Sequence, residues 1–163
     1  MIARQRGAPD VRQARQAMRP PPQIRFHITM AGQAHHVRGA LSALTCHLRG
    51  QNVPEPVIAT TEIVLAEVLN NVVEHALSGG ADGQIDLRCR RAGSGLCFEI
   101  RDDGRAMPGG TLPEGHLPPV GDRVADLPEG GWGWGLVRRL AQDPSYHRAD
   151  GRNHMRFRIA LPE

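Results

Sequence analysis

Four segments of the chain alternate between apolar and polar residues, and three others have apolar residues at helical spacing. Alternation at every second position is typical of half-buried strands, and apolar residues three or four positions apart predict amphipathic helices. The alternating segments are residues 23–30, 84–91, 96–102 and 153–161. The helical segments are residues 33–49, 57–78 and 134–142. The predicted order of elements is therefore β-α-α-β-β-loop-α-β.

The second and third predicted strands are joined by a short connection that contains Gly93 and Gly95. Such a connection predicts a hairpin, so these two strands are expected to be antiparallel. With the helices before and after them, this favours an α/β (α+β) two-layer sandwich, with a mixed, mostly antiparallel sheet and helices on one face. Cys89 and Cys97 would then lie on opposite faces of the sheet, which argues against a disulfide between them.

Residues 103–131 form a long segment without periodicity that contains seven glycines and five prolines. A connection of this length inside a compact domain is usually functional or disordered.

All of the 20 basic residues are arginine, and the chain contains no lysine. This absence excludes Schiff-base chemistry and excludes the lysine that reaches the phosphates in P-loop proteins. A nucleotide site in this chain must therefore use another design.

Residues 1–22 carry five arginines against one acidic residue, Asp10. The composition favours a disordered basic N-terminal arm, although a basic arm could also contact nucleic acid or an acidic partner. Aromatic residues make up only 4% of the chain, which argues against nucleic-acid binding by base stacking. We see no uninterrupted apolar run near the ~18 residues of a membrane span, so a cytoplasmic protein without membrane contact is expected.

The first candidate motif lies on the helix predicted for residues 57–78. Glu67, Asn71 and Glu74 form one polar stripe on a helix that is otherwise apolar. A carboxylate and an amide one turn apart can hold a hard cation and an attacking hydroxyl or water. By itself, the stripe is better explained as the solvated face of an amphipathic helix.

The second and third motifs lie at a strand end and at a helix start. Asp102 shares the inward face of its strand, where a buried acid needs a partner such as an adenine amino group, and Gly104 then turns the chain. Gly131, Gly133 and Gly135 come just before or at the start of the last helix. Successive glycines there allow backbone N–H groups to approach phosphate oxygens.

In this order and on these elements, the three motifs resemble the N, G1 and G2 boxes of the GHKL (Bergerat-fold) ATPases. The resemblance covers roughly residues 23–161, and it implies an ATP-binding domain over residues 23–163 with an ATP lid at about 103–131. Within that family the chain is most similar to the small anti-sigma-factor serine/threonine kinases. These have the spacing Glu-x-x-x-Asn-x-x-x-His-Ala, which is present here from Glu67 to Ala76.

The resemblance implies a role for each matching residue. Glu67 would be the general base, Asn71 would bind Mg²⁺, and Asp102 would accept a hydrogen bond from the adenine amino group. Further residues would shape the ATP pocket and its lid: Gly104, Ala106, Gly131, Gly133, Gly135 and Leu136. Ala106 replaces the second glycine of the G1 box, which adds strain if its φ is positive. His75 is expected to be a packing residue.

The implied function is a Mg²⁺·ATP-dependent serine/threonine kinase that acts in partner switching. It would bind a sigma factor and phosphorylate an anti-anti-sigma protein of the STAS type, and a homodimer is possible. Two alternatives remain open from the sequence. One is a nucleotide-dependent binding module that transfers no phosphate, and the other is a plain ATPase.

Overall fold

The computed structural model describes residues 23–78, 83–115 and 132–162, and it contains a five-stranded sheet and three α-helices. The strands are β1 Arg25–Ala31, β2 Gln84–Ala92, β3 Gly95–Asp102, β4 Gln142–Ala149 and β5 Arg152–Ala160. The α-helices are α1 Ala34–Gly50, α2 Glu55–Asn71 and α3 Trp132–Leu140. Helix α2 continues as a π-helical turn, Val72–Ala76, and a short 3-10 turn, Pro108–Gly110, follows β3.

The strand order in the sheet is β1-β2-β3-β5-β4, and all four pairings between these described strands are antiparallel. The predicted two-layer sandwich is confirmed, and the sheet is more uniform than the mixed sheet that the sequence favoured. The reason is the β4–β5 hairpin, whose turn at Asp150–Gly151 reverses the chain and brings β5 back antiparallel to β3.

Strand β4 is the element that the sequence pattern missed. The last helix was expected to run to residue 142, but α3 ends at Leu140 and β4 starts at Gln142. Every β4 residue is exposed or half-buried, so the strand has no alternating apolar face. It also contains Pro144 and an irregularity in its pairing between Gln142 and Ser145. Both features are tolerated because β4 lies at the edge of the sheet.

The core lies between one face of the sheet and helices α1 and α2. The sheet contributes the alternate residues of β2, β3 and β5, and the helices contribute their apolar sides. The sheet residues are Ile85, Leu87, Cys89, Leu96, Phe98, Ile100, Met155, Phe157 and Ile159. Phe98 and Phe157 stack at 5.1 Å between ring centroids and anchor the centre of the layer.

The continuous helical segment Glu55–Ala76 is long and apolar enough, by length and composition alone, to cross a membrane. Acidic residues interrupt the segment, so the sequence shows no uninterrupted apolar run there. Its side chains Val64, Leu65 and Leu69 have no exposed surface and pack in the core. The segment is therefore the central helix of the sandwich.

The three cysteines are free thiols, with Cys46 exposed, Cys89 buried and Cys97 half-buried. Cys89 points into the core and Cys97 belongs to the opposite face of the hairpin, as the alternation predicted.

Candidate active site

Helix α2 and the start of α3 enclose a cavity of about 950 Å³ together with β3, β4 and β5. Its lining includes Glu67, Asn71, Asp102, Ala106 and Gly133, which come from all three sequence motifs. The fold thus brings together in one cavity these motif residues, which are up to 66 positions apart in the chain, from Glu67 to Gly133.

The Asn71 side chain is held by its own helix. Its Nδ2 donates a hydrogen bond of 2.6 Å to the backbone carbonyl of Glu67, one turn earlier. An amide whose nitrogen is fixed in this way keeps its oxygen, Oδ1, as the atom available to a ligand. A carbonyl-type oxygen is a suitable ligand for a hard cation such as Mg²⁺.

A π-helical turn follows Asn71 directly and covers Val72–Ala76. Single π turns inside α-helices occur often at functional sites, because the wider turn changes the direction of the side chains. Glu74 and His75 are both exposed here, and both line the cavity. The expectation that His75 is a packing residue was therefore wrong.

Asp102 is 4% exposed at the inner end of β3. Its Oδ1 accepts hydrogen bonds from Asn153 Nδ2 at 2.7 Å and from the Gly104 backbone N–H at 3.0 Å. Burial raises the pKa of this carboxyl group, although the two hydrogen bonds oppose the change. Oδ2 accepts no hydrogen bond from the described residues, so it is the acceptor atom that remains for a ligand in the cavity.

Asn153, Tyr146 and Arg148 were missed in the sequence. The amide is 4% exposed and all of its bonding capacity is used. Nδ2 donates to Asp102 and to the Arg105 carbonyl at 2.8 Å, while Oδ1 accepts from Tyr146 Oη and from Arg148 Nη1, each at 2.7 Å. These partners fix the orientation of the amide, so that it can only donate to Asp102. The available signal was a polar residue in register with the apolar face of β5.

Strand β4 also supports the loop that follows β3. Tyr146 Oη accepts a hydrogen bond of 3.0 Å from the Met107 backbone N–H, and Arg148 Nη1 donates to the Gly104 carbonyl at 2.8 Å. This loop carries Ala106, which has no positive φ, so the alanine introduces no backbone strain there.

Gly104 lies against the end of the long helix. A Cβ atom at this position would be 2.7 Å from the backbone C and O atoms of Ala76. The Arg105 N–H donates to the same Ala76 carbonyl at 2.9 Å. Gly104 does not line the main cavity but lines a neighbouring cavity of about 560 Å³, so its contribution is to allow this close approach.

Helix α3 starts at Trp132, two residues earlier than predicted, so Gly133 and Gly135 lie inside its first turns. A Cβ atom on Gly133 would be 2.4 Å from Glu67 Oε2 and 3.6 Å from Asn71 Nδ2. The N-terminal turn of α3 is therefore in contact with the polar stripe of α2, and its N–H groups and positive dipole end favour anions there.

The remaining residues of the glycine motif are Gly131, Gly135 and Leu136. Gly135 is buried and Leu136 is half-buried, and neither lines the cavity. Trp134 does line it, beside Gly133. Gly131 lies outside the described residues, as do the N-terminal arm and residues 116–131 of the expected lid.

Within the described ranges, no group of three or more His, Cys, Asp or Glu side chains could hold a metal ion. A cation at Asn71 would therefore depend on phosphate oxygens and water for most of its ligands, which is the usual arrangement for Mg²⁺ in nucleotide sites. The donor set of the cavity fits such a cation only together with a phosphate-bearing ligand.

Comparison with known proteins places all three motifs within one family domain. A family model described as histidine kinase-like ATPase domain matches residues 30–159. The chain is similar to the serine/threonine-protein kinase BtrW of Bordetella bronchiseptica, with 34% identity over 96 residues. The match covers 59% of this chain and 66% of that relative, slightly less than two thirds of its length.

The fold is also similar to a solved structure, that of the RsbU and RsbW domains of Rv1364c from Mycobacterium tuberculosis. The TM-score is 0.60 and the identity is 19%, so the similarity concerns the fold. It covers 86% of this chain and 33% of that one.

Proposed function

This chain belongs to the family of histidine kinase-like ATPase domains, and on that premise we propose that it is a Mg²⁺·ATP-dependent serine/threonine protein kinase. The observation that carries the proposal is the shared cavity of Glu67, Asn71 and Asp102. In this cavity Asp102 would recognise adenine, Asn71 would bind the cation and Glu67 would act on the substrate hydroxyl, and metal binding and activation of the nucleophile are both needed for phosphoryl transfer.

The adenine end of the site would be at Asp102. Its free Oδ2 is an acceptor, and the adenine amino group is a donor. Asn153 keeps the other oxygen occupied and the carboxylate oriented. Recognition of ATP rather than GTP follows, because guanine has a carbonyl oxygen where adenine has the amino group.

The phosphate end would be between Asn71 and the N-terminal turn of α3. Asn71 Oδ1 would bind Mg²⁺, which neutralises phosphate charge when it is bound. The N–H groups at the start of α3 favour the negative charge of the phosphates. No lysine is needed in this arrangement, which agrees with the absence of lysine from the chain.

Glu67 would act on the substrate hydroxyl. It is half-buried, one turn before Asn71 and against Gly133, so its carboxylate lies beside the expected cation and phosphates. There it can orient or deprotonate a serine or threonine hydroxyl for in-line attack on the γ-phosphate.

The partners proposed for this kinase are a sigma factor, which it sequesters, and a STAS-domain anti-anti-sigma protein, which it phosphorylates. Support comes from the similarity to BtrW, whose name is that of a serine/threonine-protein kinase, and to a structure described as containing an RsbW domain. We place the kinase in the cytoplasm, where sigma factors act, and a homodimer is part of the same proposal.

The test is transfer of ³²P from γ-labelled ATP to a cognate STAS protein encoded near the gene. Asn71→Ala removes the cation ligand, so nucleotide binding and phosphoryl transfer should fall together. Glu67→Gln keeps the shape of the side chain, so nucleotide binding should survive while transfer falls by roughly 10²–10⁴-fold. Binding of the sigma factor should survive in Glu67→Gln as well.

Three other outcomes separate the alternatives. Binding of Mg²⁺·ATP without labelling of the STAS protein would favour a nucleotide-dependent binding module. Release of inorganic phosphate at the same rate with or without the STAS protein would favour a plain ATPase. Transfer at the wild-type rate by Glu67→Gln would show that Glu67 is part of a solvated helix face.

A further inference from the structure

The face of the sheet that points away from the helices is strongly basic. At the described strand positions that have a partner in the sheet register, seven of the chain's 20 arginines face outward there, against two of its 17 acidic residues. The arginines are Arg25, Arg88, Arg90, Arg101, Arg152, Arg156 and Arg158. We call this surface the arginine face.

The two acidic residues of the arginine face already have partners. Asp86 contacts His27 and accepts a hydrogen bond of 2.8 Å from Arg88. Glu99 accepts hydrogen bonds of 2.9 Å from Arg101 and 2.7 Å from Arg156. These carboxylates are therefore not available to neutralise the remaining arginines.

Three of those arginines lie in one row across the strands. Arg25 is directly opposite Arg90, Arg90 is opposite Cys97, and Cys97 is opposite Arg158. None of the three makes an ion pair with another described residue, and Arg158 Nε is buried without a hydrogen-bond partner. Like charges directly opposite each other destabilise a sheet, so this row retains an uncompensated cost in the isolated domain.

We propose that the arginine face docks an acidic surface of a partner protein, with the row of Arg25, Arg90 and Arg158 at its centre. Strands are about 4.8 Å apart, so the row spans about 14 Å over three strand intervals. Carboxylates of a partner spaced over this distance would neutralise the row and remove the repulsion between Arg25 and Arg90.

Other occupants fit the charge and chemistry less well. A second copy of the chain would place the same excess of arginine against itself, and residues 1–22 carry five arginines with one acidic residue. At its described positions the face has no Phe, Tyr or Trp side chain, and its aromatic rings are those of His27, His147 and His154. An acidic polypeptide remains the best match.

The arginine face is on the opposite side of the sheet from the nucleotide cavity, which is lined by helix residues and by inward-facing strand residues. A partner docked there leaves the cavity open. This surface would therefore hold a protein other than the one whose hydroxyl accepts the phosphate, or a second region of the same protein.

The chain contains its own reporter for this surface. Cys97 is half-buried in the middle of the arginine row, whereas Cys46 is exposed on α1. Burial raises the pKa of Cys89 to about 12, so this thiol should not react with an alkylating reagent under the same conditions. The experiment measures iodoacetamide alkylation of each cysteine by mass spectrometry in the intact chain, with and without poly-L-glutamate at low salt.

We expect poly-L-glutamate to slow alkylation of Cys97 and to leave Cys46 unchanged. The double variant Arg90→Gln/Arg158→Gln should lower the affinity for poly-L-glutamate by about tenfold, as the loss of two exposed ion pairs implies. The matched control is Arg38→Gln/Arg139→Gln, which removes the same charge from α1 and α3 and should retain the affinity. Tryptophan fluorescence on addition of Mg²⁺·ATP checks that both variants keep their nucleotide site.

Equal protection of the two cysteines, or none, in the wild-type chain would overturn the proposal, and this result needs no variant. So would an equal loss of affinity in the two double variants. Stronger protection of Cys97 by duplex DNA or by phosphatidylglycerol vesicles at equal charge would assign the face to nucleic acid or membrane. Protection of Cys97 that increases with protein concentration alone would assign it to a second copy. None of these outcomes depends on phosphoryl transfer.

Discussion

At the scale of single residues, the site depends on which atom of each side chain is already engaged. Asn71 uses its nitrogen on the helix backbone, and Asp102 uses one oxygen on Asn153 and Gly104. The Asn71 oxygen and the second Asp102 oxygen have no hydrogen-bond partner among the described residues. Each functional group is thus oriented before any ligand binds. Preorganisation of this kind lowers the cost of binding and of reaction.

Replacement by alanine should have different effects on stability at two glycines of the motifs, Gly133 and Gly104. Gly133→Ala places a methyl group 2.4 Å from Glu67 Oε2, the end of a flexible side chain that can move away. Stability should be unchanged or raised by up to about 1 kcal/mol, since alanine favours a helix. Phosphoryl transfer should nevertheless fall by up to about 10²-fold, because the base is displaced.

Gly104→Ala instead places the methyl group 2.7 Å from the Ala76 backbone, which cannot move away easily. It should lower stability by about 1–3 kcal/mol. Gly39→Ala is the control, since it lies in α1 with no neighbour within 4 Å of the added methyl group. Thermal unfolding and the transfer assay on the three variants make the comparison. Loss of stability in Gly133→Ala with full activity would contradict this account of Gly133.

At the scale of elements, the sequence predicted most of the fold and part of the site. Four strands and three helices have strong periodicity, because each packs one apolar face on the core. Strand β4 has no such face and was missed. Tyr146 and Arg148 lie on this strand and were missed as well. Their role depends on contacts with residues distant in sequence.

The motifs were easier to find than their supports. Glycines and acids at fixed spacing are visible in the chain, but the hydrogen bonds of Asn153 depend on the register of β3, β5 and β4. The close approach of Gly133 to Glu67 likewise requires the packing of α3 on α2. No local pattern in the sequence specifies those distances.

The supporting role of β4 leads to a prediction for Tyr146→Phe. The change removes the hydroxyl that accepts from Met107 N–H and donates to Asn153 Oδ1. Unpaired buried groups cost about 1–3 kcal/mol, so stability should fall by an amount in this range. ATP affinity should also fall, because Asn153 loses one of the partners that fix its orientation.

The control is Ser145→Ala, the neighbouring β4 residue in register with the outward-facing Arg156. It should change neither the melting temperature nor the dissociation constant for ATP. If Tyr146→Phe lowers the melting temperature but leaves ATP binding unchanged, the hydroxyl supports the fold and not the nucleotide site.

At the scale of the whole molecule, the two sides of the sheet have different chemistry. The helix side carries the core and the cavity with Glu67, Asn71 and Asp102, and the open side carries the arginine face. The proposed kinase, which would switch between protein partners, needs a catalytic site and a surface for binding. The described part of the sandwich has room for both because its three α-helices lie on the same face of the sheet.

The most direct test of the central claim is calorimetric titration of the intact chain with ATP and with GTP, each in the presence of Mg²⁺. The account predicts that ATP binds and that GTP is rejected, because Asp102 presents an acceptor to the base. Asp102→Asn should weaken ATP binding by about 1–3 kcal/mol, the usual cost of an unpaired buried polar group. Equal affinity for ATP and GTP, or unchanged ATP affinity in Asp102→Asn, would contradict the assignment of this cavity as an adenine nucleotide site.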